Sequence, residues 1–299
     1  MRKEAEMLHT IRGFAENDDR IRAVMMNGSR ANPHAPKDLF QDYDIVYFVS
    51  SVQDFVDDAS WISSFGDILI MQTPDRMDRP DAARFDRFAY LMLFADGNRI
   101  DLTFYPADRV AYWAHDSETV ILLDKDGLFG DVPPPSNRDY WPVKPNAEQF
   151  GNCCNEFWWV STYVAKGLWR RQLPYAMRMY EGPVRDMLMR MLTWYIGVRT
   201  DFAAESGKEG KYFEHYLEPA KWEAFVQTFA NGDYESIWRA LFEMGTLFRK
   251  TAQSVADRFG FSYPEGDDRR VSDYLRKVYR LPPNADDLDE PAQVNGSKF

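Results

Sequence analysis

The chain changes character between residues 133 and 145. Pro133, Pro134, Pro135, Pro142 and Pro145 fall close together there, and proline withholds a backbone donor and clashes with the preceding helical turn. No helix or central strand runs through such a stretch. Ahead of it lie short β-branched and aromatic runs such as Tyr43 to Val49, which suit a half-buried pleated surface. Behind it the apolar residues recur at helical spacing. The expected fold class is therefore α+β, with a mixed β-sheet domain over 1–140, a helical bundle domain over 141–281 and a disordered polar tail over 282–299.

Within the first part, helical spacing is expected from about Lys3 to Glu16 and strands over Ile21 to Met26, Tyr43 to Val49 and Asp67 to Gln72. Val52 to Ser64 reads as one helix. Phe85 to Ala95 and Asn98 to Tyr105 read as a hairpin about Asp96-Gly97, a favourable turn pair. A helix from Pro106 to Ala114 and a strand from Val120 to Leu123 complete it. In the second part the pattern predicts helices over Ala147 to Arg171, Pro174 to Arg199 with a bend near Gly182-Pro183, Tyr212 to Leu217, Pro219 to Ala230 and Tyr234 to Phe259.

Charge narrows the function. The 36 basic and 47 acidic residues give a net charge of −11, which repels a phosphate backbone and attracts small cations; plain solubility explains it as well. No nucleic-acid or membrane partner is expected. Cys153 and Cys154 are the two cysteines; adjacent thiols in a helix cannot staple a fold, so a reducing cytoplasm and buried, inert thiols are expected. The charged N-terminal stretch does not read as a signal peptide. The four histidines form no ligand or triad pattern. A monomer is expected.

The chemistry concentrates in Asn27-Gly28-Ser29-Arg30, Asp42-Tyr43-Asp44-Ile45 and Ile100-Asp101-Leu102. Strand residues two apart share a face, so Asp42 and Asp44 present paired carboxylates that call for a cation, and an oxygen-rich set suits Mg²⁺. Asp101 adds a third acid inside an apolar strand. Three carboxylates are what metal-assisted phosphoryl displacement uses. Gly28 and Ser29 let backbone and hydroxyl donors approach a polyphosphate, and Arg30 either adds charge there or pairs with an acid. Each piece alone has an ordinary reading as a turn or a solvated strand end; the combination is specific.

That combination resembles the signature of the DNA polymerase β-like nucleotidyltransferases. The longer string FQDYDIVYFV, with NGSRANP before it, closely resembles the aminoglycoside 6-adenylyltransferases that inactivate streptomycin. The likeness continues in MQTPDRM, LFADGNRIDLTF, LLDKDG, CCNEFWWVSTYVAKGL and Leu247-Phe248-Arg249-Lys250, and covers about residues 1 to 265. Asn27 departs from the small or apolar residue usual before Gly-Ser in the wider group. The resemblance implies that ATP binds as its Mg²⁺ complex on Gly28, Ser29 and Arg30, that Asp42, Asp44 and Asp101 hold metal, and that Asp101 stands near the attacking hydroxyl as ligand or base. AMP passes to a hydroxyl, at the 6 position of streptidine in this family, and pyrophosphate leaves.

In the helical half, Glu156, Trp159, Tyr163 and Lys166 recur at three or four and share a helix face. They line a cationic-substrate site, with Lys166 reaching a phosphate, or belong to a packed helix whose charged ends reach solvent. Gly207 to Tyr212 resembles a Gly-Lys helix entry near the triphosphate, which points to Lys211 and less to Lys208. Arg185 and Arg190 carry no assignment. A template-independent RNA nucleotidyltransferase shares the Gly-Ser and Asp-x-Asp pieces but calls for a basic patch, and a non-catalytic nucleotide-binding module expects one of the acids to be lost.

Overall fold

A computed structural model describes residues 1–114 and 116–288. His115 and the part of the expected tail from 289 to 299 lie outside the described residues. The chain divides into two compact units, Met1–Asp139 and the part from Tyr140 onward.

The first unit is built on a six-stranded mixed sheet. Its strands are β1 (Ile21–Asn27), β2 (Tyr43–Val49), β3 (Ile68–Gln72), β4 (Phe88–Phe94), β5 (Arg99–Pro106) and β6 (Thr119–Asp124), in the spatial order β3-β4-β5-β2-β1-β6. All neighbours run antiparallel except β2 and β5, which are parallel. Helices α1 (Glu4–Glu16), α2 (Gln53–Asp57) and α3 (Pro74–Asp78) accompany it.

The sheet has two unequal faces. Alternate residues of β2 and β5, namely Tyr43, Ile45, Tyr47, Ile100, Leu102 and Phe104, enter a large core with Ile11 of α1, Phe55 and Trp61. Buried polar tips in this core find partners, as where the Tyr47 hydroxyl donates to the Ile11 carbonyl at 2.6 Å. The opposite face holds a smaller core of Ala23, Met25, Val46 and Phe48. Asp44 lies two residues before Val46 on β2, so it belongs to this lightly covered face. Strand alternation thus places the acids beside the thinner side of the sheet.

The expected helix over Val52 to Ser64 is broken. Asp58 is extended, and its carboxylate accepts from the Ser60 amide at 2.9 Å. This local side-chain bond competes with helix continuation, and a short 3₁₀ segment, Ser60–Phe65, follows. The segment after β5 is likewise a 3₁₀ turn, Ala107–Tyr112, and not a full helix.

The second unit is helical: α4 (Ala147–Trp169), α5 (Leu173–Met179), α6 (Arg185–Arg199), α7 (Phe213–Tyr216), α8 (Pro219–Val226), α9 (Tyr234–Phe259) and α10 (Glu265–Arg280). The bend near Gly182-Pro183 is a wide π-helical turn over Tyr180–Val184 between α5 and α6, where the absent proline donor is accommodated. Phe157 and Phe248 stack at 3.7 Å between centroids and join α4 to α9. No element is expected from the sequence over 260–281, yet α10 forms there. Its buried positions are Asp268, Ser272, Leu275 and Val278; two of the four are polar, so the apolar periodicity is hidden. Among the described residues no helix is long and apolar enough to cross a membrane.

Candidate active site

β1 ends where the chain must turn sharply. Gly28 adopts φ +73°, a left-handed conformation that favours glycine. A Cβ there would stand 2.3 Å from Asp44 Oδ2, so the missing side chain makes room for the carboxylate. The Gly28 amide donates to the Glu118 carbonyl at 3.0 Å, and the Asn32 side chain donates to the Glu118 carboxylate. The turn is thereby pinned to the start of β6. The half-buried Ser29 hydroxyl makes no hydrogen bond among the described residues and remains available to a ligand.

Parallel pairing of β2 with β5 sets Asp44 directly beside Asp101, while Asn27 of β1 is the partner of Asp44 on its other side. Asp42 lies just before β2 and not within it. Its position is fixed through the backbone. Arg30 Nε donates to the Asp42 carbonyl at 3.1 Å, Nη2 donates to the Gln41 carbonyl at 2.7 Å, and the guanidinium stacks over Tyr43 at 3.8 Å. Such a stack contributes about 0.5–2 kcal/mol. The Arg30 side chain is only 9% exposed, so its charge is engaged by the loop that carries Asp42.

Arg99 counters the acids. It grips Asp101 with two hydrogen bonds, 2.8 Å from Nε and 2.7 Å from Nη2, and stands 3.5 Å from Asp42. Burial, then the charges of Asp101 and Asp42, push the Asp44 carboxyl up to about 6, against the lowering influence of Arg99. Burial also raises Asp42, partly offset by Arg99. A group that resists ionisation beside two like charges gains from a further cation.

In the second unit, Glu156, Trp159, Tyr163 and Lys166 lie along one side of α4. Glu156 is exposed and Trp159 is 58% exposed. The Trp159 indole donates to the Tyr163 hydroxyl at 2.8 Å, and Lys166 Nζ sits 4.4 Å over the Tyr163 ring. Glu156 and Trp159 face outward, while the half-buried Tyr163 packs against the core of the helical unit. Lys211 and Lys208 are exposed on a turn whose Gly207 and Gly210 take positive φ, with Lys211 Nζ 4.9 Å over the Tyr212 ring. Arg185 is structural: it is buried, pairs with Glu181 and donates to Thr228. Cys153 and Cys154 are buried, and desolvation pushes the Cys153 thiol up to about 12.

A family model described as streptomycin adenylyltransferase matches residues 1–278. The chain belongs to that family. Aminoglycoside 6-adenylyltransferase of Bacillus subtilis (strain 168) is 38% identical over 281 residues, 93% of this chain and 99% of that protein. Its namesake in Campylobacter jejuni is 37% identical over 276 residues, covering 92% and 95%. The one in Staphylococcus aureus is 33% identical over 281 residues, covering 93% and 99%. A crystal structure of an aminoglycoside 6-adenyltransferase from Bacillus subtilis shares 35% identity over 93% of this chain and 99% of that one, with a TM-score of 0.46.

This family member is therefore a nucleotidyltransferase. Among its described residues no three His, Cys, Asp or Glu side chains stand together at metal-holding spacing, and the guanidinium of Arg99 reaches both Asp101 and Asp42. The chemistry of the donor set, though not its spacing here, is of the kind magnesium takes. The set consists of hard carboxylate oxygens, with Asp44 raised by burial and then by its acidic neighbours, and fitted into the space that Gly28 leaves. Sequence reasoning missed Arg99 and Glu118. Arg99 had a signal, being two residues from Asp101 and hence on the same strand face; Glu118 had none.

Proposed function

We propose that this enzyme transfers AMP from magnesium-bound ATP to a hydroxyl of streptomycin or a closely related aminoglycoside, releasing pyrophosphate. The observation that carries the reading is the in-register pair Asp44 and Asp101 beside the Gly28-Ser29 turn. The names of the 33–38% identical relatives support the aminoglycoside acceptor.

In this reading the Gly28 turn and the free Ser29 hydroxyl receive the triphosphate. Asp42, Asp44 and Asp101 would hold the magnesium, which would supply Lewis-acid stabilisation of the charge that develops in the transfer. Asp101, oriented by the two bonds from Arg99, stands ready to take the proton of the attacking hydroxyl. The new bond joins that oxygen to the α-phosphorus, and the bond to pyrophosphate breaks. Arg30 positions Asp42 through its carbonyl and so serves the nucleotide site indirectly. Trp159 and Tyr163 offer faces to the guanidinium groups of streptomycin, and Glu156 offers a countercharge. Lys166 and Lys211 are the cations assigned to phosphate.

The test is pyrophosphate release by the purified protein with magnesium and ATP, with and without streptomycin, beside Asp44→Asn. Streptomycin-dependent release that vanishes in the variant is expected. Release driven by an RNA end, or none with any aminoglycoside, would refute the assignment.

A further inference from the structure

The second unit contains a cavity of about 270 Å³ that none of the residues assigned above lines. It opens among α4, α9 and α10. Its lining includes the aromatic Trp158, Phe242 and Tyr279 and the basic Arg249, Arg276 and Arg280. Three arginines line one cavity in a chain with a net charge of −11.

The three arginines differ in how they are held. Arg249 is pinned by Asp268, 4% exposed, through Nε and Nη2, and Nη2 also donates to Ser272 at 3.0 Å. The Tyr263 hydroxyl donates to the same carboxylate at 2.7 Å. This arginine is rigid, and its Nη1 has no partner among the described residues. Among the described residues Arg276 pairs only with the exposed Asp273 of its own helix at 3.0 Å, a bond that water and salt readily exchange. Arg280 makes no ion pair among the described residues. One preset fork and two available ones suit a phosphate or carboxylate approached by planar donors.

The aromatic residues of the lining are braced by ring contacts. Phe242 stacks on Trp238 at 5.8 Å, and Tyr279 stands edge-on to Phe242 at 5.7 Å. Gly245 shapes one wall: a Cβ there would meet the Trp158 ring at 3.4 Å. The volume falls just below the roughly 300–1,000 Å³ of drug-sized sites, which favours one base with one phosphate over anything longer.

We infer that this cavity binds a small phosphate-bearing ring compound of the nucleoside monophosphate class, at a site separate in its residues from the carboxylate site. The ring meets Trp158, Phe242 and Tyr279, and the phosphate meets Arg249, Arg276 and Arg280.

The experiment is calorimetric titration of the full chain with AMP, inorganic phosphate and adenosine. Four proteins are compared: wild type, Arg280→Gln, Tyr279→Ala and Gly28→Ala. Arg280 is exposed, whereas Tyr279 packs on Trp238 and Phe242 and donates to Glu235 at 2.8 Å, so a thermal melt checks that each variant is folded. AMP is expected to bind the wild type more tightly than phosphate or adenosine does. Arg280→Gln should weaken AMP at least tenfold. Tyr279→Ala should remove the preference of AMP over phosphate, and the AMP binding that Arg280→Gln weakens should persist in Gly28→Ala. AMP affinity unaffected by Arg280→Gln, phosphate binding as tightly as AMP, or binding lost in Gly28→Ala instead would each overturn the inference; the last result would place AMP in the active site.

Discussion

Replacing Gly28 with alanine probes the closest approach in the active site. The added Cβ would lie 2.3 Å from Asp44 Oδ2, against about 3.4 Å for ordinary contact, so the oxygen must retreat by about 1.1 Å. The backbone at φ +73° adds a cost of about 1–2 kcal/mol for a residue bearing a Cβ. Misplacing a reacting group by about 1 Å lowers rate roughly 100-fold, equivalent to about 2.7 kcal/mol of barrier. Gly28→Ala should therefore lower kcat/KM for streptomycin-dependent pyrophosphate release by about two orders of magnitude, while the melting temperature falls by only about 2–8 °C. Gly13→Ala is the control. Gly13 is helical with nothing within 4 Å of its added Cβ, and the change should stabilise by up to about 1 kcal/mol with kcat/KM unchanged. A folded Gly28→Ala enzyme within threefold of wild type would show that the turn and Asp44 are not coupled as argued.

Three further outcomes follow from the same geometry. Asp44, raised from 3.8 to about 6, takes up its proton more readily folded than unfolded, so it contributes stability at low pH that is lost as pH rises from about 4 to about 6. The loss amounts to at most about 3 kcal/mol, and with chelator present Asp44→Asn should abolish it in melts across that range. Arg99 lowers both Asp42 and Asp44, so Arg99→Gln should move the acid limb of the pH–rate profile to higher pH and reduce kcat through a less constrained Asp101; an unmoved limb would remove Arg99 from the site. Trp159→Ala, at a 58% exposed position, should change stability by no more than about 0.5 kcal/mol yet raise KM for streptomycin, with KM for ATP unchanged.

The strands were legible because runs such as Tyr43 to Val49 combine β-branched and aromatic residues without interruption, and α9 was legible end to end from its apolar stripe. The acids and the Gly-Ser turn stood out because charge inside an apolar strand demands a reason. What pattern could not supply was adjacency. Asp44 and Asp101 are neighbours only because β2 pairs in parallel with β5, a long-range choice that no local residue encodes. Arg99 drew no reading from the sequence, and only the register brings it to Asp42 and Asp101. Likewise α10 escaped because Asp268 and Ser272 face inward, where they receive Arg249 and the Tyr263 hydroxyl in place of apolar contacts. Arg30 illustrates a different limit: its position after Gly-Ser left phosphate and a surface acid as equal readings, and its donors close on the Gln41 and Asp42 carbonyls while Nη1 lies 3.9 Å from Glu4.

The most direct test follows label from ATP marked at the α-phosphate during incubation with magnesium and streptomycin. The account predicts that label moves to streptomycin, with one pyrophosphate released per transfer, and that neither occurs with Asp44→Asn or after chelation. Label that stays in ATP, or emerges only as free AMP, from wild-type protein shown to be folded would contradict it.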